Sequence, residues 1–310
     1  MIQTAIGLYG LQQWFGGDFA PVVDLVRSAD EAGIDQVNIT DHVVMGENLD
    51  KYPYGRFPSG LDFPWFEPLI VLAAIAGATR LIRLSTGVLI APLRPAVLLA
   101  KQLATLDVMS RGRVTIGLGL GWQREEYDAA GVPWEGRYAR LEEQIRVCKL
   151  LWSEAPASFS GRTVSFERIH AWPRPAQTGG VPIWLGLAPS ERNIERIARF
   201  GDGWIPMERR PEQLALHIAA LRKAFIAHGR DQNDLAVRVV LPPVPGNGGM
   251  PSLDATLAAV VPTLARAGVT MFECHRVSFA AALWNSKPSS VSGSLLRSGG
   301  ERECLAAAGR

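Results

Sequence analysis

The sequence predicts an α/β fold, a (β/α)8 TIM barrel, on three observations. Eight apolar segments typical of buried strands recur along the chain, near residues 2–8, 35–40, 82–89, 113–118, 181–186, 202–206, 235–241 and 269–274. Most are followed by a segment whose apolar residues fall on one helical face, as Leu99, Leu103 and Leu106 do. Eight such repeats in about 280 residues match the length that this barrel needs. A doubly wound open sheet is the alternative.

The first repeats follow this pattern in order. Phe19, Val22 and Val26 lie on one face of a helix after the first strand. The third strand ends in Thr86-Gly87-Val88, and the fourth runs into Gly117-x-Gly119-x-Gly121-Trp122. An amphipathic helix between two buried strands predicts a parallel crossover unit. Glycines at strand ends let the backbone turn or let a ligand approach, which favours a cofactor enzyme.

Two segments are too long for simple connections. Residues 42–65, after strand two, are rich in Gly, Pro and aromatic residues. Residues 154–180, between strands four and five, read as a short hairpin and a proline-rich run. We expect both insertions to build walls of the site, because long loops without structure of their own are uncommon.

The later repeats continue the barrel until the chain changes character. Residues 1–277 are predicted to form the barrel, whereas residues 278–310 are an atypical tail rich in Ser, Gly, Ala and Arg. No eighth helix is legible there, so the tail is expected to be disordered.

Composition excludes several classes of protein. A net charge of +2 without a basic block argues against nucleic-acid binding. No run of about 20 uncharged apolar residues predicts a membrane span, and the amino terminus does not resemble a signal peptide. Three cysteines without a CxxC pair predict neither a disulfide framework nor a zinc site, and favour the cytoplasm.

Asp41 and His42 follow strand two directly, at the catalytic end of a barrel. A histidine here is suited to proton transfer near neutral pH; a loop histidine without catalytic role is the alternative. The spacings HxxH and HxE are absent, so a metal site is not predicted. The glycines from Gly117 to Gly121 lack the context of a dinucleotide-binding fingerprint.

Strand five, PIWLG, ends at Gly186 and leads to Ser190 at the start of a helix. Free N–H groups at a helix start can bind an anion, although a simply capped helix is the commoner case. Trp122, at the end of strand four, has a flat ring suited to stacking on a polycyclic cofactor.

Together these segments resemble the bacterial luciferase-like superfamily, specifically its branch of deazaflavin-dependent oxidoreductases. The resemblance rests on blocks that keep their order from about residue 1 to 275: Asp41-His42-Val43-Val44, Tyr52-Pro53-Tyr54-Gly55-Arg56, residues 85–127, PIWLG and ARFGDGWIP.

This resemblance implies an oxidoreductase that moves a hydride between coenzyme F420 and a small organic substrate. It places a non-prolyl cis peptide at or beside Gly87-Val88, as a support for the cofactor ring. His42 would handle the proton, and Asp41, Thr86 and the turn from Gly119 to Glu126 would line the cofactor. In the block after strand five, Gly186 and Ser190 would hold its phosphate. The cofactor-lining candidates of that turn are Gly119, Gly121, Trp122 and Glu125.

The resemblance also implies a homodimer. Two alternatives for the function stay open at this point. One is an FMN-dependent monooxygenase that uses oxygen and a separate reductase. The other is a homologue that binds a flavin without catalysing a reaction.

Overall fold

The computed structural model describes residues 2–10, 18–246 and 249–275. The strands are Gln3–Leu8 (β1), Gln36–Ile39 (β2), Arg83–Thr86 (β3), Leu89–Ile90 (β4), Ile116–Gly119 (β5), Ala157–Ser160 (β6), Ser165–Ile169 (β7), Ile183–Leu185 (β8), Gly203–Trp204 (β9), Ala236–Val240 (β10), Val244–Pro245 (β11), Pro251–Ser252 (β12) and Met271–His275 (β13). The α-helices are Ala20–Glu31 (α1), Pro68–Ala78 (α2), Ala96–Met109 (α3), Arg124–Ala129 (α4), Arg137–Ser153 (α5), Glu191–Phe200 (α6), Pro211–Ala227 (α7) and Leu253–Arg266 (α8).

Nine strands form one parallel sheet, in the order β3-β2-β1-β13-β10-β9-β8-β5-β4. β3 and β4 are the two halves of one barrel strand, so eight barrel strands result. The sheet closes at Leu84, which donates to the carbonyl of Arg113 and accepts from the N–H of Thr115, both at 2.9 Å. The predicted (β/α)8 barrel is therefore confirmed, and the open sheet is wrong.

Helices follow the barrel strands in the predicted alternation, and three of them, α2, α6 and α8, begin with a capping side chain. Ser190 accepts from the N–H of Asn193 at the start of α6, and Glu67 accepts from that of Ile70 at the start of α2. Each cap satisfies an N–H group that has no partner inside the helix. Because the barrel strands are parallel and helices follow them, the strands end and the following helices begin at the same rim of the barrel.

The apolar core has two parts. Most buried side chains lie between the strands and the surrounding helices. A smaller group fills the barrel itself: Ala5, Trp184, Ile205 and Met271, with Val88 and Ala236 packed against them. The barrel is thus a packed core whose ligands must bind at its mouth, above the carboxyl ends of the strands.

The insertion at residues 154–180 does not reach the mouth as expected. Its hairpin, β6 and β7, packs on α5. Its last part is fixed at the amino-terminal end of the barrel strands, where Gln177 donates to Asp107 at 2.7 Å and accepts from Arg83 at 3.0 Å. The expectation that it builds a wall of the site is wrong, because a segment that follows a helix and precedes a strand belongs to the opposite end of the barrel.

The predicted tail, residues 278–310, lies outside the described residues. Within the described part of the chain, no helix combines the length and the apolar character that crossing a membrane requires.

Candidate active site

The third barrel strand is interrupted at Gly87 and Val88, and the peptide bond between them is cis. This confirms the position that the resemblance implied. The N–H of Gly87 donates to the carbonyl of Ile39, the last residue of β2, at 2.8 Å. The interruption therefore lies beside the end of β2, where Asp41 and His42 follow.

Val88 points its side chain into a notch made by two glycines. A Cβ atom added to Gly119 would lie 2.4 Å from Val88 Cγ2, and one added to Gly186 would lie 2.7 Å from Val88 Cγ1. Contacts this short force neighbouring atoms to move, so both positions need glycine. These two glycines were predicted to line a cofactor; the structure gives them a packing role as the receptacle of Val88.

Asp41 is a buried residue that connects the end of β2 to β4 beside this interruption. Its Oδ2 accepts from the N–H of Ile90 at 2.8 Å and from Arg94 Nη1 at 2.7 Å, and its Oδ1 accepts from Arg94 Nη2 at 3.1 Å. Both oxygens of the carboxylate accept hydrogen bonds from the protein, so the carboxylate fixes β4 against the end of β2. We therefore assign Asp41 to positioning of the site, and its predicted contact with the cofactor stays a prediction.

His42 forms a buried pair with Glu126. His42 Nδ1 donates to Glu126 Oε2 at 3.0 Å, and the other oxygen, Oε1, accepts from the N–H of Val43 at 2.9 Å. The side chain of His42 is 10% exposed and that of Glu126 is fully buried. A carboxylate that accepts at both oxygens fixes the proton of neutral His42 on Nδ1 and leaves Nε2 as the open atom.

Aromatic rings surround His42. The ring centroid of Trp65 is 4.6 Å from that of His42, Phe57 is at 5.7 Å and Trp122 at 6.2 Å. Tyr52 packs on Trp122 at 5.2 Å, and burial raises the pKa of its hydroxyl. We call Tyr52, Phe57, Trp65 and Trp122 the aromatic box; it surrounds His42 with apolar surface and limits its contact with water.

Two donors in the aromatic box have no partner. The indole Nε1 atoms of Trp65 and Trp122 are buried, and neither makes a hydrogen bond with the described residues. A buried donor without an acceptor is costly, and such groups are rare in folded proteins. A ligand with carbonyl oxygens in its plane, as flavins and deazaflavins have, would supply acceptors there.

The insertion at residues 42–65 is fixed to the start of α4. The N–H of Gly46 donates to Gln123 Oε1 at 2.8 Å, and Gln123 Nε2 donates back to the Gly46 carbonyl at 3.1 Å. Asn48 donates to the carboxylate of the half-buried Glu125. We call these contacts the loop staple. Glu125, a predicted cofactor residue, is thus engaged by Asn48.

The remaining predicted residues serve the barrel wall. Thr86 is fully buried, and its Oγ1 donates to the Gly117 carbonyl at 2.6 Å. Gly121 has a φ of +66°, which a glycine adopts readily and which turns the chain after β5.

The predicted phosphate segment is also engaged internally. The N–H of Gly186 donates to the carbonyl of Leu118 at 2.9 Å. The hydroxyl of Ser190 accepts from the N–H of Asn193 at 3.3 Å as the cap of α6. A phosphate at this end of α6 would therefore depend on other N–H groups of the segment, and this role stays a prediction.

The sequence placed Glu126 at the end of the cofactor-lining turn but did not indicate that it is the partner of His42. Glu125 and Glu126 are neighbours on α4 and differ in burial: Glu126 and Tyr127 are the buried residues of this helix, whereas Glu125 is only half-buried. Sequence reasoning missed Arg238 and Glu273 inside the barrel. Their signal was available, since each is a charged residue within a strand that is otherwise apolar.

Arg238 reaches from β10 across the barrel to the third strand. Its Nη2 donates to the Thr86 carbonyl at 3.0 Å, its Nη1 contacts Asn38 on β2, and its Nε lies 3.0 Å from Glu273 Oε2. Arg238 is 1% exposed and Glu273 3%. A Cβ atom on Gly87 would lie 3.0 Å from Arg238 Nη2, so the guanidinium directly underlies the interruption of the third strand.

Comparisons with known proteins agree with this architecture. An uncharacterized protein of Mycobacterium tuberculosis is 36% identical over 193 residues, which are 62% of this chain and 66% of that protein. The chain thus matches slightly less than two thirds of that relative. An F420-dependent glucose-6-phosphate dehydrogenase of Kineococcus radiotolerans is 33% identical over 228 residues, 70% of this chain and 62% of the relative.

Among solved structures, the coenzyme F420-dependent tetrahydromethanopterin reductase of Methanopyrus kandleri aligns with a TM-score of 0.68. The alignment covers 88% of this chain and 93% of that one at 17% identity, which supports the fold alone. The sequence profile described as luciferase-like monooxygenase matches residues 2–259. The barrel, the cis peptide bond after β3 and His42 at the mouth are thus features of a chain that belongs to the luciferase-like monooxygenase family.

Proposed function

We propose that this chain is an oxidoreductase that transfers a hydride between coenzyme F420 and a small organic substrate at the mouth of the barrel. The observation that carries the proposal is the His42–Glu126 pair inside the aromatic box. It combines a proton-handling group, a carboxylate that fixes its tautomer, and a setting protected from water. The F420-dependent glucose-6-phosphate dehydrogenase among the relatives supports the choice of cofactor.

The residues present fit a deazaflavin. The unpartnered Nε1 atoms of Trp65 and Trp122 would donate to the ring carbonyls or to the substrate. The interruption at Gly87 and Val88, underlain by Arg238, would form the surface on which the ring lies. A bound deazaflavin supplies the carbon that accepts or donates the hydride.

The protein contributes orientation and proton handling. His42 Nε2 would accept the proton of a substrate hydroxyl during oxidation, or return it to a carbonyl oxygen during reduction. Glu126 keeps the ring orientation and stabilises the imidazolium that results. A positioned acid or base of this kind contributes about 10²–10⁴-fold to the rate.

The insertion at residues 42–65 would set substrate choice, because three members of the aromatic box belong to it: Tyr52, Phe57 and Trp65. The box is mostly apolar, so we expect a substrate with a substantial apolar portion. A screen of candidate compounds for turnover would identify that substrate.

The first experiment is a parallel titration of the purified protein with coenzyme F420 and with FMN, followed by the fluorescence of the cofactor ring. Clear preference for F420 is the expected result. Preference for FMN, with oxygen consumed when reduced flavin is supplied, would replace the proposal with the monooxygenase function for which the family is named. Binding of F420 without hydride transfer to any compound of the screen would favour a non-catalytic homologue.

A further inference from the structure

The last barrel strand carries a second histidine–glutamate pair. Glu273 and His275 are two residues apart on β13, so their side chains leave the same face of the strand. Glu273 faces the inside of the barrel, where it meets Arg238 at 3.0 Å. His275 therefore faces the inside as well, one layer nearer the mouth, and its Nε2 donates to Glu273 Oε1 at 2.8 Å.

Gly7 on the neighbouring strand makes room for this imidazole. The register of β1 and β13 sets Gly7 opposite His275. A Cβ atom on Gly7 would lie 2.3 Å from His275 Cδ2 and 2.4 Å from Glu273 Oε1. The imidazole thus lies across β1 within the barrel, and 25% of the side chain is exposed. His275 is an accessible titratable group that the mechanism above does not use.

The pair is connected to the interruption of the third strand. Glu273 joins His275 to Arg238, and Arg238 donates to the carbonyl of Thr86, the residue before Gly87. Burial alone would raise the pKa of Glu273, but the nearby charges of Arg238 and His275 lower it below its ordinary value. The Glu273 carboxylate accepts from Nε2 of His275 and so fixes the orientation of the imidazole.

The two histidines expose different ring atoms. Glu126 holds His42 by Nδ1 and Glu273 holds His275 by Nε2, and among the described residues the other nitrogen of each ring has no hydrogen-bond partner. His42 lies among the rings of the aromatic box, which belongs largely to the insertion. His275 lies inside the barrel towards its mouth, and Glu273 and Arg238 connect it to Thr86 beside Gly87, where the proposed function places the cofactor ring.

We propose that His275 is a second proton-handling residue, which exchanges a proton at Nδ1 with the cofactor ring, and that Glu273 is its positioning residue. This rests on the proposed function. Oxidation of an alcohol would break its C–H bond, and a bound deazaflavin would receive the hydride. His42 Nε2 would take the hydroxyl proton, and His275 Nδ1 would give a proton to the ring nitrogen. Reduction of a carbonyl reverses each transfer, so protons and electrons balance.

The test compares His275→Gln with His228→Gln. A glutamine amide can occupy the position of Nε2, so His275→Gln keeps the donation to Glu273 and removes Nδ1. His228 makes a similar contact with Glu195 at 2.6 Å on the outer helices, which makes His228→Gln the matched control. Dissociation constants of oxidised and of reduced F420 are measured for each protein by tryptophan fluorescence, without oxygen, between about pH 5 and pH 8.

We expect the ratio of the two constants to depend on pH in the wild type and in His228→Gln. One linked proton changes such a ratio by about tenfold per pH unit. His275→Gln should lose this contribution. An unchanged pH dependence in His275→Gln, with F420 bound normally, would overturn the inference and leave the proposed function standing. Failure of the wild type to bind F420 would overturn both.

A measurement on the wild-type protein tests the inference even if His275→Gln does not fold. NMR titration of the His275 imidazole, assigned through its backbone neighbours in the isotope-labelled wild type, should give a pKa that changes when F420 saturates the protein. The His228 imidazole should titrate identically with and without the cofactor. Saturation with F420 without any change at His275 contradicts a direct proton exchange.

Discussion

At the scale of single residues, the chemistry of the site depends on which nitrogen of each histidine is held. Glu126 engages His42 at Nδ1. An asparagine amide can occupy that position, so His42→Asn keeps the contact with Glu126 and removes the reactive Nε2. We expect its kcat to fall by about 10²–10⁴-fold while the F420 dissociation constant changes by less than about threefold.

Steady-state kinetics with any substrate that the wild type converts, together with a fluorescence titration, measure both quantities. His42→Ala is the companion variant, since it also releases Glu126 and should lose more cofactor affinity. Equal losses of kcat and affinity in His42→Asn would remove His42 from proton handling and make it a structural residue.

The receptacle of Val88 gives a second prediction at this scale. In Gly186→Ala the new methyl group would lie 2.7 Å from Val88 Cγ1. We expect a loss of about 1–3 kcal/mol in the free energy of unfolding, because the tightly packed side chains of the barrel cannot move aside to make room for the methyl group. Urea denaturation measures the loss. Val88→Ala in the same chain should restore part of it, and two purely additive losses would contradict the packing role.

At the scale of elements, β10 and β13 are joined by a buried ion pair, Arg238 with Glu273. The folded-state pKa of Glu273 lies below its ordinary value of 4.5. Such a group stabilises the fold above that ordinary value, and the contribution is lost as pH falls through the lower folded pKa. The free energy of unfolding should therefore decline below about pH 4.5, with Glu273 contributing to the slope.

Glu273→Gln tests this contribution. Removing one member of a buried pair costs about 3–5 kcal/mol near neutral pH, because Arg238 is left without its counter-charge. The variant should also show a shallower decline in acid. Urea denaturation at several pH values measures both effects, and parallel curves for wild type and variant would exclude Glu273 as the source of the acid sensitivity.

The elements themselves were largely predictable from sequence. All eight barrel strands lie within a few residues of their predicted positions, because buried strands separated by amphipathic helices leave a strong pattern. The hairpin β6–β7 was foreseen as an element, but its place was not. The apolar pattern reports burial, whereas the end of the barrel at which an insertion lies depends on whether a strand or a helix precedes it.

The candidate site was less predictable than the fold. His42 was found because its place after β2 has chemical meaning. Glu126 was named only as the end of a cofactor-lining turn, and Arg238 and Glu273 were not found. The reason is that their partners are distant in sequence: His42 lies 84 positions from Glu126. Asp41 was also found by its place after β2, but its contact with Arg94, which the sequence could not indicate, gives the carboxylate a structural role beside the predicted one.

At the scale of the whole molecule, apolar residues are exposed on one side of the barrel. Ile70 and Leu81 are 72% and 77% exposed, and Leu98 and Met109 are also exposed on α3, which packs beside α2. We expect this face to support a homodimer, as the family resemblance implies. Light scattering after gel filtration should give twice the chain mass, and Leu81→Arg should shift it toward the monomer; a monomeric wild type contradicts the expectation.

The loop staple divides the insertion at residues 42–65 into two parts with different freedom to evolve. The part before Asn48 is bonded to α4 and holds His42 against Glu126, so substitutions there should damage the reaction itself. The part from Tyr52 to Trp65 supplies rings to the aromatic box. A variant library restricted to that second part should therefore yield enzymes with altered substrate range and intact proton chemistry, which makes it the place to begin directed evolution of this barrel.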